Sequence, residues 1–139
     1  MQQTILIADD DEQIVALLSE ILKDEGYKVS VAYNGDEALR LARRLHPDLV
    51  LLDIKMPRKS GIQVCREIKG DDRIRSAAIV MLSGFGQLKE INEAMLSGAV
   101  SYITKPSDRH SILESVRAAL PRPPRQGAWL SSKRKSPRK

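Results

Sequence analysis

The stretch L-V-L-L-D-I-K-M-P, residues 49–57, sets four apolar residues directly before an acid, with a proline closing the loop that follows. A short apolar run without polar alternation is the signature of a strand buried on both faces, as in a parallel sheet covered by helices on each side. Working outward, strands are expected near 4–8, 28–32, 48–53, 78–82 and 100–104, separated by longer stretches of helical period. Three of the other runs also end in reactive groups. T-I-L-I-A precedes Asp9, Asp10 and Asp11, I-V-M-L precedes Ser83, and V-S-Y-I-T precedes Lys105. Open α/β sheets bind ligands outside the carboxyl ends of their strands. Parallel neighbours would therefore gather carboxylates, a hydroxyl and an amine at one edge, a set able to hold a divalent cation and accept a phosphoryl group.

The intervening segments read as five helices. The first carries the stripe Ile14, Leu17, Leu18, Ile21, Leu22 and stops near Gly26. The second starts after Asn34-Gly35, carries Ala38, Leu39 and Ala42, and ends before Pro47. The third, from about Gly61, presents Val64, Cys65 and Ile68; the fourth presents Leu88, Ile91, Ala94 and Met95 and closes at Gly98. The fifth follows Pro106-Ser107-Asp108 and uses Ile112, Leu113, Val116 and Leu120. Right-handed crossovers turn this alternation into a doubly wound five-stranded parallel sheet, an α/β fold.

The chain has 139 residues, 42% of them hydrophobic, which suits one domain with a substantial core. Residues 1–120 are expected to form it. From Pro121 the composition changes: 121–139 holds four of the seven prolines, seven of the 23 basic residues and no acid. The net charge of +5 therefore belongs to this tail, since 1–120 carries 16 basic against 18 acidic residues. Such a segment is expected to be extended or disordered, able at most to bind nucleic acid weakly and without regard to sequence. One cysteine, Cys65, excludes an internal disulfide. No apolar segment approaches the roughly 18 residues of a membrane span, and Gln2, Gln3 and Thr4 do not resemble a secretory signal. A soluble, cytoplasmic protein without membrane contact is expected.

Taken in order and at these separations, I-L-I-A-D-D-D-E, L-V-L-L-D-I-K-M-P-x-x-x-G, M-L-S-G and Y-I-T-K-P closely resemble the receiver domain of two-component response regulators, over about residues 3–120. The resemblance implies the flavodoxin-like, CheY-like strand order 2-1-3-4-5. It implies that Asp53 accepts a phosphoryl group from a phosphohistidine of a sensor histidine kinase or histidine phosphotransfer protein. Asp9 and Asp10 match the acidic pair that holds Mg²⁺ (or Mn²⁺), completed by Asp53 and the backbone carbonyl of Lys55. Lys105 matches the lysine that pairs with a phosphoryl oxygen, and Ser83 the hydroxyl that moves to donate to another, with small Gly84 leaving room for the group. Tyr102 matches the switch aromatic, and the Lys105-Pro106 bond is implied to be cis. The output would be a population shift at the face of the fourth helix, fifth strand and fifth helix, read by a downstream protein that the sequence does not name. On this reading the chain is a regulator and not an enzyme acting on outside substrates. Ser107 departs from the family, which usually has an aromatic after Lys-Pro. Lys55 and Phe85, two positions beyond Asp53 and Ser83, are expected to tune phosphoryl lifetime.

Plainer roles and other functions compete with parts of this reading. Asp11 is expected to be a helix cap, Cys65 a core filler, and His46 and His110 surface or boundary residues, having no partner at ligand spacing. Tyr102 has the alternative of simple packing at the sheet edge. A phosphohydrolase using an aspartyl phosphate would want a second acid where Lys55 stands, and a cap segment to hold substrate. A flavin mononucleotide carrier on the same architecture would need a loop after the first strand that does not repel phosphate, whereas Asp9 to Asp11 occupy it.

Overall fold

Strands form where the apolar runs stand: β1 Thr4–Ala8, β2 Lys28–Ala32, β3 Leu49–Asp53, β4 Ala78–Ser83 and β5 Ser101–Thr104. The computed structural model describes residues 2–105 and 107–120. The expectations for the Lys105-Pro106 bond and for 121–139 lie outside those residues. All strand pairs are parallel, in the order β2-β1-β3-β4-β5. Central β3 and β4 are buried at every position. Edge strand β2, with a polar Ser30 between its valines, is only partly covered.

Alternation along the strands feeds two separate cores, because successive side chains point to opposite faces. Leu6, Val50, Leu52, Ile79 and Met81 lie on one face. They meet α2 (Gly35–Leu45), α3 (Gly61–Lys69) and α4 (Leu88–Leu96) through Ala38, Leu39, Val64, Cys65, Ile68, Ile91 and Ala94. On the other face Ile5, Ile7, Leu49, Leu51, Val80 and Leu82 meet α1 (Glu12–Asp24) and α5 (Arg109–Ala119). Each fully buried Leu or Ile contributes about 1.5–3 kcal/mol of transfer free energy, so the sheet is the main source of stability.

Four helices begin at side chains that close their first turn. Asp11 accepts from the amides of Gln13 and Ile14, Asn34 from Glu37, Ser60 from Gln63 and Asp108 from Ser111. Such caps contribute typically about 1 kcal/mol each and start every one of these helices at the carboxyl edge of the sheet. In α4 the cap position is Gln87, whose side chain makes no such bond.

Several expectations are corrected. Leu17 is 47% exposed while Val15, left out of the stripe, is buried. Leu88 is 67% exposed, and Met95 also faces solvent. In each case a helix resting on a flat sheet buries a narrower arc than its apolar residues span, so those at the stripe's margin stay outside. Helix α5 ends at Ala119, and Leu120 packs on the core from just beyond it. Strand β3 starts at Leu49, one residue later than expected, and just before it the Asp48 carboxylate accepts from the Thr4 amide at 2.8 Å. Among the described residues no helix is long and apolar enough to cross a membrane.

Candidate functional site

Register brings the reactive strand ends together. Ala8 lies beside Leu52, Asp53 beside Leu82, and Ser83 beside Thr104, so the residues just past those positions share one edge. Asp9 is fully buried and Asp53 is 6% exposed. Two carboxylates so placed lose most of their hydration, a cost of several kcal/mol each unless partners replace it. Lys105 is the shared partner: its Nζ donates to Asp9 Oδ2 at 2.9 Å and to Asp53 Oδ1 at 3.2 Å. The Lys105 amide donates to the Ser83 carbonyl at 2.7 Å, which fixes the start of this side chain as well as its end. Asp9 Oδ1 accepts from the Asp11 amide at 3.0 Å. Asp11 is thus both the expected helix cap and a support for Asp9.

The charges are unequal in consequence. Burial, then the neighbouring Asp9 charge, pushes the Asp53 carboxyl up from 3.8 to about 6, against the pull of Lys105 and with a further push from Asp10. Partial burial draws the Lys105 amine down, but its hydrogen bond to Asp9 and the charges of both carboxylates outweigh this and hold it above its ordinary range. The site therefore contains one firmly protonated cation between two buried acids, with exposed Asp10 at the rim.

Asp9, Asp10 and Asp53 can each bring one carboxylate oxygen within 4.8 Å of the others. Hard oxygen donors in such a group, one of them facing solvent, fit a small divalent cation that keeps part of its water shell. Lys55 is exposed on the loop after β3. The rest of that loop turns back sharply: the Gly61 amide donates to the Ile54 carbonyl at 2.8 Å, and a Cβ on Gly61 would lie 1.9 Å from the Asp53 carbonyl oxygen. The glycine of the M-P-x-x-x-G pattern is thus a packing requirement of the acid's own backbone.

Ser83 is buried at the end of β4. Gly84 is half-buried, with its amide donating to Gln87 Oε1 at 2.6 Å. Gln87 did not stand out in the sequence, since a glutamine at a helix start carries no motif and its partner is a backbone amide. The Tyr102 side chain is 45% exposed, and Phe85 is fully exposed. Cys65 is buried, and His46 and His110 are exposed, as expected.

Residues 5–117 match the family model of the response regulator receiver domain. The DNA-binding dual master transcriptional regulator RpaA of Synechocystis sp. is 40% identical over 118 residues, covering 85% of this chain and 49% of that protein. Sporulation initiation phosphotransferase F of Bacillus subtilis is 38% identical over 122 residues, covering 87% of this chain and 96% of that protein. A crystal structure of a putative response regulator from Chloroflexus aurantiacus J-10-fl matches with a TM-score of 0.83 at 28% identity, over 88% of this chain and 100% of that one. The chain spans about half the length of the DNA-binding regulators that it matches.

Proposed function

The chain belongs to the response regulator receiver family of two-component signalling, and from that membership we propose that Asp53 is the phospho-acceptor of a signalling switch formed by residues 1–120. The observation that carries this reading is the lysine shared by two buried carboxylates at the edge of the sheet. An ionised Asp53 oxygen attacks the phosphorus of a phosphohistidine on a sensor kinase or phosphotransfer protein. The O–P bond forms as the P–N bond breaks, and its electron pair returns to the donor imidazole. Little covalent chemistry is asked of the protein beyond position and charge. Asp9, Asp10, Asp53 and the backbone carbonyl of Lys55 would hold Mg²⁺ or Mn²⁺, which supplies charge neutralisation for the phosphoryl oxygens.

The remaining roles follow from where charge moves. Once Asp53 is phosphorylated, its negative charge lies on the phosphoryl oxygens, and the Lys105 ammonium follows it there. Ser83 donates to a second oxygen. Its shift opens space into which the Tyr102 ring, now facing solvent, turns. The surface that changes carries exposed Leu88, Met95, Leu96 and Val100 with Tyr102, an apolar set suited to a protein partner downstream. Cytoplasmic location fits such a chain. The basic segment 121–139 would add salt-sensitive, sequence-blind contact with nucleic acid and leave phosphorylation untouched.

The test is direct: incubate the chain with a small phosphodonor and Mg²⁺, and map an acid-stable, base-labile phosphate by mass spectrometry. Label on Asp53 is expected; label elsewhere, or none, counts against the reading. A second expectation concerns the cation alone. Crowded carboxylates make Mg²⁺ a native-state ligand, worth about 2.7 kcal/mol at a hundredfold excess over its dissociation constant. Thermal melts should rise with Mg²⁺ over EDTA in the wild type and rise less in Asp10→Asn. A wild-type melt indifferent to Mg²⁺ would refute the acidic-pocket assignment.

A further inference from the structure

The Gly84 amide is the first backbone donor past Ser83, and it is already taken by the Gln87 side chain at 2.6 Å. Gln87 occupies the cap position of α4 with φ −105° and ψ 29°, yet its side chain closes none of its own helix's amides. In α1, α2, α3 and α5 the side chain at that position serves the helix it begins. In α4 it reaches back across the loop toward the reactive edge instead.

We propose that Gln87 is a positioning residue that acts as an internal competitor for the phosphoryl group: its carboxamide holds the Gly84 amide until a phosphoryl oxygen displaces it. The proposal rests on the reading of Asp53 as phospho-acceptor. A phosphoryl group on Asp53 presents anionic oxygens, and strand-end amides are natural donors to such charge. One N–H makes one strong hydrogen bond, so Gly84 serves either Gln87 or the phosphoryl group. Exchange of a neutral amide acceptor for a charged phosphoryl oxygen is favourable, since charge-assisted hydrogen bonds are roughly twice as strong. The bond to Gln87 therefore lowers affinity for the group without excluding it. The intervening Gly86, at φ +81° with open space around it, lets the loop rearrange at small cost. Because Gln87 is the residue from which α4 starts, its release acts on the helix that carries Leu88, Met95 and Leu96. Occupancy of the site is thereby tied to the first turn of α4.

The experiment uses the full chain with Mg²⁺ and beryllium trifluoride as the phosphoryl mimic, comparing wild type with Gln87→Ala, Gln87→Asn and Gln87→Glu. Removing the competitor should tighten beryllofluoride binding roughly three- to tenfold in Gln87→Ala, the worth of one net hydrogen bond. Gln87→Asn, one methylene too short to span to Gly84, should match Gln87→Ala. Gln87→Glu, a stronger acceptor that also repels the ligand, should weaken binding by at least a similar factor. In the free proteins the Gly84 amide resonance should move upfield in Gln87→Ala, reporting the lost bond directly. A merely structural glutamine would lower stability in every variant without moving affinity in opposite directions. Wild-type uptake with all three variants unmoved would overturn the competitor role alone, and no uptake by the wild type would remove the reading of Asp53 and this inference with it.

Discussion

Asp53→Asn should take up no phosphate and, without metal at neutral pH, should resist urea better than the wild type. The first half follows from chemistry: an amide is nearly isosteric with the carboxylate but a poor nucleophile, so uptake should fall at least about a thousandfold. The second half follows from linkage. Asp53 titrates at about 6 in the folded chain against an ordinary 3.8, because burial and the Asp9 charge disfavour its ionised form. A folded value above the unfolded one means that the group's favourable contribution is complete below about pH 4 and is lost as pH rises through about 6. At pH 7.5 the ionised carboxylate therefore costs the native state. The rise from 3.8 to about 6 caps that cost at about 3 kcal/mol, and loss of the Lys105 hydrogen bond returns part of it. Asparagine cannot ionise, so the mutant's advantage should be about 1–3 kcal/mol at pH 7.5 and should shrink steadily toward pH 4. Urea titrations in EDTA across that range test the sign. A mutant less stable than wild type at pH 7.5, or one labelled as fast as wild type, would sink the assignment of Asp53.

Much of this arrangement could be read before any coordinates, because buried parallel strands write themselves as unbroken apolar runs. L-V-L-L-D and I-V-M-L kept their places almost to the residue, and the acids and lysine that follow such runs share one edge because parallel pairing puts every carboxyl end there; the strand order then brings them into contact. What the sequence concealed has a different physical origin. Leu17 and Leu88 look like core residues by composition, yet only the arc of a helix that faces the sheet is buried, and periodicity blurs the margin of that arc. The Gln87 contact could not be foreseen, since it pairs a common side chain with a backbone amide three residues earlier. Strand order came only from likeness to a family: the pattern dictates parallel pairing and crossover hand, but several neighbour orders satisfy both.

Gly61→Ala should cost more stability than any conservative surface change, about 3–5 kcal/mol, placing the fold near its limit. The added methyl would sit 1.9 Å from the Asp53 carbonyl oxygen, 2.8 Å from its carbon and 3.1 Å from Ile54 Cα. All three are backbone atoms at the end of a fully buried strand, so no side-chain rotation can make room. Either β3 shifts or α3 lifts from the sheet, breaking the bond from the Gly61 amide to Ile54 at 2.8 Å and unseating Val64, Cys65 and Ile68 from the core. Gly86→Ala is the contrast: its φ is +81°, but a Cβ there meets nothing within 4 Å, so only backbone strain of about 1–2 kcal/mol is expected. Equilibrium urea unfolding should rank the two in that order, and a Gly61→Ala loss of about 1 kcal/mol or less would show that the strand end yields more readily than a packed interior should. Because the clash falls on Asp53 itself, the proposal that Asp53 accepts the phosphoryl group implies that any folded fraction of Gly61→Ala should also label more slowly than its stability explains: a shift of this residue's backbone carries its carboxylate with it.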